Sequence, residues 1–403
     1  MESLVLSKKN KNIKRDAFIA SVILLVSAGP YFFWWLLSSP VFTLLKLLFV
    51  FICYKHSSIQ KSDKGLIALF SFGAFWSVLI ALIHGDANLF GLISQLSYVF
   101  FFYIFFTERQ FAEKVFSYFL AIYVFIILFS VASWALASIG VLSPVRSMSF
   151  MQSGEKRTYD IYPFLVKEVG YDIRFYGPFD EPGSIGTISG LLLCITRFSF
   201  KKWQTWVLLI SGVISLSLFF FVLVTIGLIW YILFVKRNLV VAGLICALLA
   251  VFYIKTSDDP ILYTYMWSRL EWNDDSSSFN GDKRMTEEGD MYLRQIRGTS
   301  EYFLGVNNVE KFWQLAEGSS SYKVVIATQG LIFFILYVLY FLLFAWRKKT
   351  SFLAFALFCL VFLSNIYQRP AIYNILIMFL CSELAQIELA IPNRTVKRKL
   401  QHN

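Results

Sequence analysis

WQTWVLLISGVISLSLFFFVLVTIGLIWYILF, residues Trp203–Phe234, is one apolar block whose reading sets the topology of the chain. A helix that crosses a bilayer takes roughly 20 residues, so the block is too long for one span and short for two. Folded as a tight hairpin at Ser215-Leu-Ser217 it supplies two spans; as one long tilted helix it supplies one. The choice decides on which side every later segment lies.

The other apolar runs are easier to place. Spans are expected at Phe18–Leu37, Val41–Tyr54, Gly65–His84, Asn88–Thr107, Val115–Val141, Gly183–Phe198, Leu239–Ile254, Val324–Trp346, Ser351–Tyr367 and Ala371–Leu389. With the hairpin this makes about twelve. A cytoplasmic N-terminus then puts the basic clusters on one side: Lys8 to Arg15, Lys55 to Lys64, Arg109 and Lys114, Arg197 to Lys202, Lys236-Arg237, Arg347 to Lys349, and the tail Arg394 to Lys399. Two long polar segments, Leu142–Glu181 and Lys255–Lys323, fall together on the other side. The one-helix alternative breaks this alternation, so the charge pattern favours the hairpin. The expected fold is an all-α polytopic membrane protein, one integral domain over residues 1–403.

Composition agrees. Hydrophobic residues are 57% of the chain and charged residues 16%, where a soluble chain of this length carries about 25% charged. The net charge of +11 comes from Lys and Arg in short connections, which is the positive-inside pattern and excludes a nucleic-acid-binding face. No cleavable signal peptide is expected, because no small-residue cleavage site follows the first apolar run. Cys53, Cys194, Cys246, Cys359 and Cys381 all lie in apolar runs and read as small buried hydrophobes rather than disulfide partners. His56, His84 and His402 are scattered, and the aspartates of the second polar segment lack EF-hand spacing, so no metal or cofactor is expected.

Chemistry concentrates where the first polar segment enters a span, Arg174-Phe-Tyr-Gly-Pro-Phe-Asp-Glu-Pro-Gly-Ser-Ile-Gly186. Part of this stretch is explained as a helix start: Pro182 suits the first helical position, and acidic residues before it are favoured by the helix dipole. Arg174 has no such local role, and an arginine fork suits a phosphate or carboxylate ligand. In the second polar segment, Thr286–Arg297 reads as a short amphipathic helix ended by Gly298, with Met291 and Ile296 toward the membrane. Arg284 and Arg294 flank that helix, and Arg269 lies upstream. Glu317-Gly-Ser-Ser-Ser-Tyr322-Lys323 then leads into the next span; a Gly-Ser approach presents backbone N–H groups to an anion or is a plain N-cap turn. It lacks the Gly-Lys-Ser/Thr ending of a nucleotide P-loop. Arg369, beside Pro370, is a further cation at an outer junction, and Lys46 is the one charge well inside a run.

These features resemble the bacterial O-antigen polymerase (Wzy) family, within the wider O-antigen polymerase and ligase superfamily. Arg174-Phe-Tyr-Gly-Pro-Phe-Asp-Glu-Pro182 is similar to the family's Arg-x-x-Gly-x-Phe-x-Glu-Pro pattern, and Arg294 followed by Gly305 is similar to its Arg-x10-Gly arrangement. Gly318-Ser-Ser-Ser321, with Gly330 in the following span, is similar to its Gly-Ser-rich helix entry. Two departures stand out: Arg174 is one residue too far from Gly186 for Arg-x10-Gly, and the hairpin lacks the arginine often found after its serines.

The resemblance implies a GT-C-like glycosyltransferase of lipopolysaccharide or related surface-polysaccharide synthesis. It would move a growing glycan from undecaprenyl pyrophosphate onto a new lipid-linked repeat unit, on the periplasmic side of the inner membrane, with both termini cytoplasmic. The expected partners are the lipid-linked donor and acceptor, membrane lipids, a chain-length regulator and a flippase, with no nucleic acid. Arg174, Glu181 and Arg284 are the expected catalytic set, with Glu181 as base. Arg269, Arg294, Tyr322, Lys323 and Arg369 are the expected substrate-binding set. The rivals are an O-antigen ligase and a lipid-linked oligosaccharide flippase. The ligase family uses a histidine in the second outer loop, which here has none; a transporter more often shows internal repeats.

Overall fold

The computed structural model describes residues 2–34, 37, 39–58, 64–83, 101–152, 155–170, 173–236, 238–273, 278–279, 285–316, 322–347, 357, 359–361 and 370–381. It is mostly helical. In chain order its helices are α1 (Glu2–Ser27), α2 (Ser39–Lys55), α3 (Lys64–Ile83) and α4 (Arg109–Ser138). A three-stranded sheet follows: β1 (Arg146–Gln152), β2 (Glu155–Tyr162) and β3 (Leu165–Glu168). Then come α5 (Pro182–Ile195), α6 (Trp203–Ile214), α7 (Leu218–Trp230), α8 (Leu239–Thr256) and α9 (Pro260–Tyr265). A two-stranded ribbon, β4 (Trp272–Asn273) with β5 (Ser278–Phe279), leads to α10 (Glu287–Gln295), α11 (Ser300–Leu304), α12 (Val309–Ala316), α13 (Tyr322–Arg347) and α14 (Pro370–Cys381). Among the described residues, three helices are long and apolar enough to cross a membrane: α4, α8 and α13. Most of the expected spans Asn88–Thr107 and Ser351–Tyr367, and the second half of Ala371–Leu389, lie outside the described residues.

Trp203–Phe234 is a hairpin. α6 stops at Ile214, α7 starts at Leu218, and Leu216 between them sits at φ +48. A left-handed leucine costs about 1–2 kcal/mol, so neighbours must hold the turn. They do so from the first polar segment: the Phe175 amide donates to Ile214 O (3.1 Å) and Arg174 Nε donates to Ser215 O (3.2 Å).

Two of the segments expected as full spans here are shorter than a bilayer core. α5 and α6 have 14 and 12 residues, or about 18–21 Å at 1.5 Å per residue, against roughly 30 Å of hydrocarbon, whereas α7 runs on past Trp230 into a π-helical stretch, Tyr231–Lys236. The first expected span is also corrected. α1 begins far before Phe18 and ends at Ser27, where Gly29 (φ +74) and Pro30 break it before the single turn Tyr31–Trp34.

α5 is the centre of the bundle, with every residue but Gly183 buried. It packs against both α6 and α7, and small residues make this possible. A Cβ on Gly186 would lie 2.5 Å from Ser217 Cβ, and one on Gly190 would lie 3.1 Å from Leu223 Cδ1. Glycines four apart thus let α7 approach the α5 backbone, as in membrane helix pairs. Polar contacts cross the same core: Ser189 Oγ lies 3.4 Å from Tyr123 Oη and 3.3 Å from Ser211 Oγ, joining α4, α5 and α6.

The helical frame carries two folded polar segments. β1–β2–β3 is an antiparallel meander whose Tyr159 and Val166 pack with Tyr176 and Tyr31. The second polar segment has its own small core, in which Met285, Ile296, Val306, Phe312 and Ala316 meet Val324 and Ala327 of α13. Ile296 therefore faces this core and not the membrane; Met291 on the same helix is exposed. α10 has the expected signals, with Thr286 Oγ accepting from the Gly289 amide and Gly298 at φ +86 beyond its end.

α13 is broken at Gly330, which takes φ +85 and ψ 158. The reason is steric and local. The end of α11 is pressed against the break, so that a Cβ on Gly330 would lie 2.2 Å from Phe303 O. Carbonyls near the break are taken by other segments, Ala327 O by the Val306 amide (2.7 Å) and Gln329 O by Trp76 Nε1 (3.3 Å).

At the basic side, Asp16 ties α1 to α2. Lys55 Nζ (2.7 Å) and His56 Nε2 (2.9 Å) meet its Oδ2, and Arg15 meets its Oδ1 (3.2 Å). Burial alone would raise the Asp16 carboxyl, but the hydrogen bonds from Lys55, His56 and Arg15 outweigh it and hold it at about 2. A depressed carboxyl stabilises above its unfolded value and loses that contribution as pH falls through the folded one. Asp16→Asn should therefore lower stability by about 1–2 kcal/mol near neutral pH. In detergent melts the gap from wild type should close as pH drops from 4 toward about 2.

Candidate functional site

The site is built where Arg174–Glu181 crosses from the sheet to α5. The chain bends at Gly177 (φ +59), whose missing Cβ would lie 2.5 Å from Ile185 Cδ1, so only glycine fits this turn. Gly177 O accepts from the Val166 amide (2.8 Å) and Pro178 O accepts from the Tyr31 amide (2.8 Å). With the two bonds to the hairpin tip, the segment is pinned from three sides.

Pro182 opens α5 as its first residue, with Glu181 as an extended N-cap (φ −138, ψ 132) that makes no side-chain cap bond. The helix-start reading of this stretch is thus correct for the backbone, while the Glu181 carboxylate is not spent as a cap. Of the two adjacent carboxylates, Asp180 acts electrostatically on Tyr159 and Glu181 on Arg174.

Arg174 has a structural role that its sequence neighbourhood does not reveal, since its Nε caps the C-terminal end of α6 through Ser215 O. Its guanidinium carbon lies 4.9 Å from the ring centroid of Tyr265, a cation–π contact from the second polar segment. Among the described residues that Nε bond is its only side-chain hydrogen bond. Burial, and next to it the positive charge of Arg269, push Arg174 below its ordinary pKa; Tyr176, Tyr265 and Glu181 act the other way. The group still carries its charge at any physiological pH. Two polar segments of the chain thus bring Arg174 and Tyr265 into contact, with Glu181 and Arg269 acting on the Arg174 charge.

The remaining candidates lie elsewhere or are occupied. Arg294 is exposed on α10, its Nη2 3.3 Å from Asp290 Oδ2 one turn away. Lys323 Nζ is 2.6 Å from Asp290 Oδ1 and docks α10 on the first turn of α13. Arg294 is thus paired within its own helix, and the cation that acts on the Arg174 charge is Arg269. The Tyr322 ring lies against Phe334, centroids 5.8 Å apart. Arg284 and Arg369, and Glu317–Ser321 before Tyr322, lie outside the described residues.

Sequence reasoning missed Tyr265, Tyr176 and Glu168. A signal existed for the first: Asp259-Pro260 is an N-cap and first-position proline pair, and Asp259 Oδ1 accepts from the Ile261 and Leu262 amides. That starts α9, whose last residue is Tyr265, four positions before Arg269. Among the described residues no three of His, Cys, Asp and Glu converge as metal ligands. No protein-family model, curated protein or solved structure matches this chain.

Proposed function

We propose that Arg174 and Arg269 form the pyrophosphate-binding part of a membrane glycosyltransferase that polymerises lipid-linked oligosaccharide repeat units. The observation that carries this reading is the approach of two arginines from different outer segments, next to Tyr265 and Glu181. Like charges held close raise the energy of the empty site, and an anion bound between them relieves it. The cluster sits at the start of a buried apolar helix, where a lipid's phosphates would meet protein. Electrostatic stabilisation of a leaving pyrophosphate needs no more than such fixed cations.

In this reading the chain is a GT-C-like bundle of about twelve spans in the bacterial inner membrane. Its termini are cytoplasmic, and the site is periplasmic. A hydroxyl of the acceptor repeat unit attacks the anomeric carbon of the donor glycan. The new C–O bond forms as the bond to undecaprenyl pyrophosphate breaks, Arg174 and Arg269 taking the developing charge and Glu181 the proton. A chain-length regulator and a flippase would serve the same pathway.

The test is a product ladder from the purified full chain with defined undecaprenyl-pyrophosphate-linked repeat units, run with and without chelator. Glu181→Gln should lower chain extension by about 10²–10⁴, the range for loss of a general base. Wild-type ladders from both Glu181→Gln and Arg174→Ala would sink the proposal. Deletion in cells separates the ligase: loss of a polymerase leaves core capped by one repeat unit, and loss of a ligase leaves bare core.

A further inference from the structure

Glu168 at the end of β3 is a buried carboxylate that the reaction above does not use. Tyr176 Oη donates to its Oε2 at 2.9 Å, and Arg157 Nε on β2 lies 3.9 Å from its Oε1. Burying a carboxylate costs several kcal/mol unless it is paired and hydrogen-bonded, so its retention under the sheet calls for a physical reason. The geometry supplies one. Tyr176 is two residues from Arg174, and the two groups act electrostatically on each other. The same segment is already held at Phe175, Gly177 and Pro178 by backbone bonds. Between these points the Tyr176 ring packs with Tyr159 and Val166, and its hydroxyl adds a side-chain hydrogen bond from this segment to Glu168.

We infer that Glu168 is a positioning residue: through the Tyr176 hydroxyl it sets the Arg174–Gly177 turn and so aims the Arg174 guanidinium at its anion. Burial first, and then Glu168, push the Tyr176 phenol upward, so it remains a proton donor across physiological pH. Tyr159, beside it, is pushed up to about 12 by burial and by the Glu168 and Asp180 carboxylates, against the opposing Arg157. What the turn needs from Glu168 is an acceptor oxygen. An amide can supply that, and a methyl cannot.

The inference rests on Arg174 as the pyrophosphate group, and two readouts keep the two ideas apart. The first is the rate at which phenylglyoxal modifies Arg174 in the purified full chain, followed by mass spectrometry, which needs no activity. The second is steady-state polymerisation with lipid-linked repeat units. In Tyr176→Phe and Glu168→Ala, Arg174 should react at least about fivefold faster, and turnover should fall about ten- to hundredfold with KM moving less than about threefold. Glu168→Gln should stay within about twofold of wild type in both. Tyr176→Phe removes a single hydroxyl and so carries the test if Glu168→Ala does not fold. Wild-type labelling in Tyr176→Phe overturns the inference, as does a Glu168→Gln enzyme as impaired as Glu168→Ala. If Arg174→Ala polymerises normally, the functional reading fails while the labelling still decides the positioning role.

Discussion

Arg174→Lys should lower chain extension by about 10²–10³, the loss seen when one preorganised donor to a developing oxyanion is removed. Lysine keeps the positive charge, so the size of the loss measures the geometry of the fork. A lysine ammonium cannot both donate to Ser215 O and lie flat against Tyr265, as the guanidinium does at 3.2 Å and 4.9 Å. Its charge would also be free to move away from Arg269, which is the opposite of a prepared anion site. Arg174→Ala should do at least as much damage, and it also strips the cap from the hairpin tip. A melting curve therefore accompanies the kinetics. If Arg174→Lys melts within a few degrees of wild type but extends chains at the wild-type rate, the site does not depend on the fork.

The second large effect is on stability. Gly330→Ala should destabilise the protein by roughly 3 kcal/mol or more, adding left-handed strain to a clash that no rotamer can relieve. The obstructing atoms are backbone, Phe303 O at 2.2 Å and Leu304 C at 2.8 Å from the added Cβ. Relief requires α11 to lift off the break, which also removes the Val306 amide from Ala327 O. The expected signature is a fall in melting temperature together with faster proteolysis inside Ser300–Leu304. Gly243→Ala is the matched control, since no atom lies within 4 Å of its added Cβ. Equal melting of Gly330→Ala and Gly243→Ala would show that the break does not bear this strain.

Much of the frame is readable without the structure, and local signals explain why. Two serines around Leu216 mark the hairpin, Pro182 marks the start of α5, and Thr286 with Gly298 brackets α10. Each acts within a few residues of itself. The break in α13 is not readable, because a glycine in an apolar run announces neither its φ nor the helix end pressed against it. The site is legible only in part for the same reason. Arg174 and Glu181 declare themselves by being hard to explain locally. Tyr265 and Glu168 look ordinary until the sheet and α9 bring them in from 91 and 6 positions away in the chain (265 − 174 and 174 − 168). The Asp290–Arg294 pair is legible from its spacing, since four residues apart on a helix puts the two side chains on one face.

The hydrogen bond from Arg174 to Ser215 spans 41 positions, and this has a consequence for the order of biogenesis. Until the α6–α7 hairpin has been synthesised, neither Ser215 O, which receives Arg174, nor Ile214 O, which receives the Phe175 amide, exists. Tyr265 and Arg269 arrive later still. A chain ending before the hairpin therefore lacks the contacts that fix Arg174. The cluster around Arg174 can form only once Arg269, 95 positions later (269 − 174), has been synthesised.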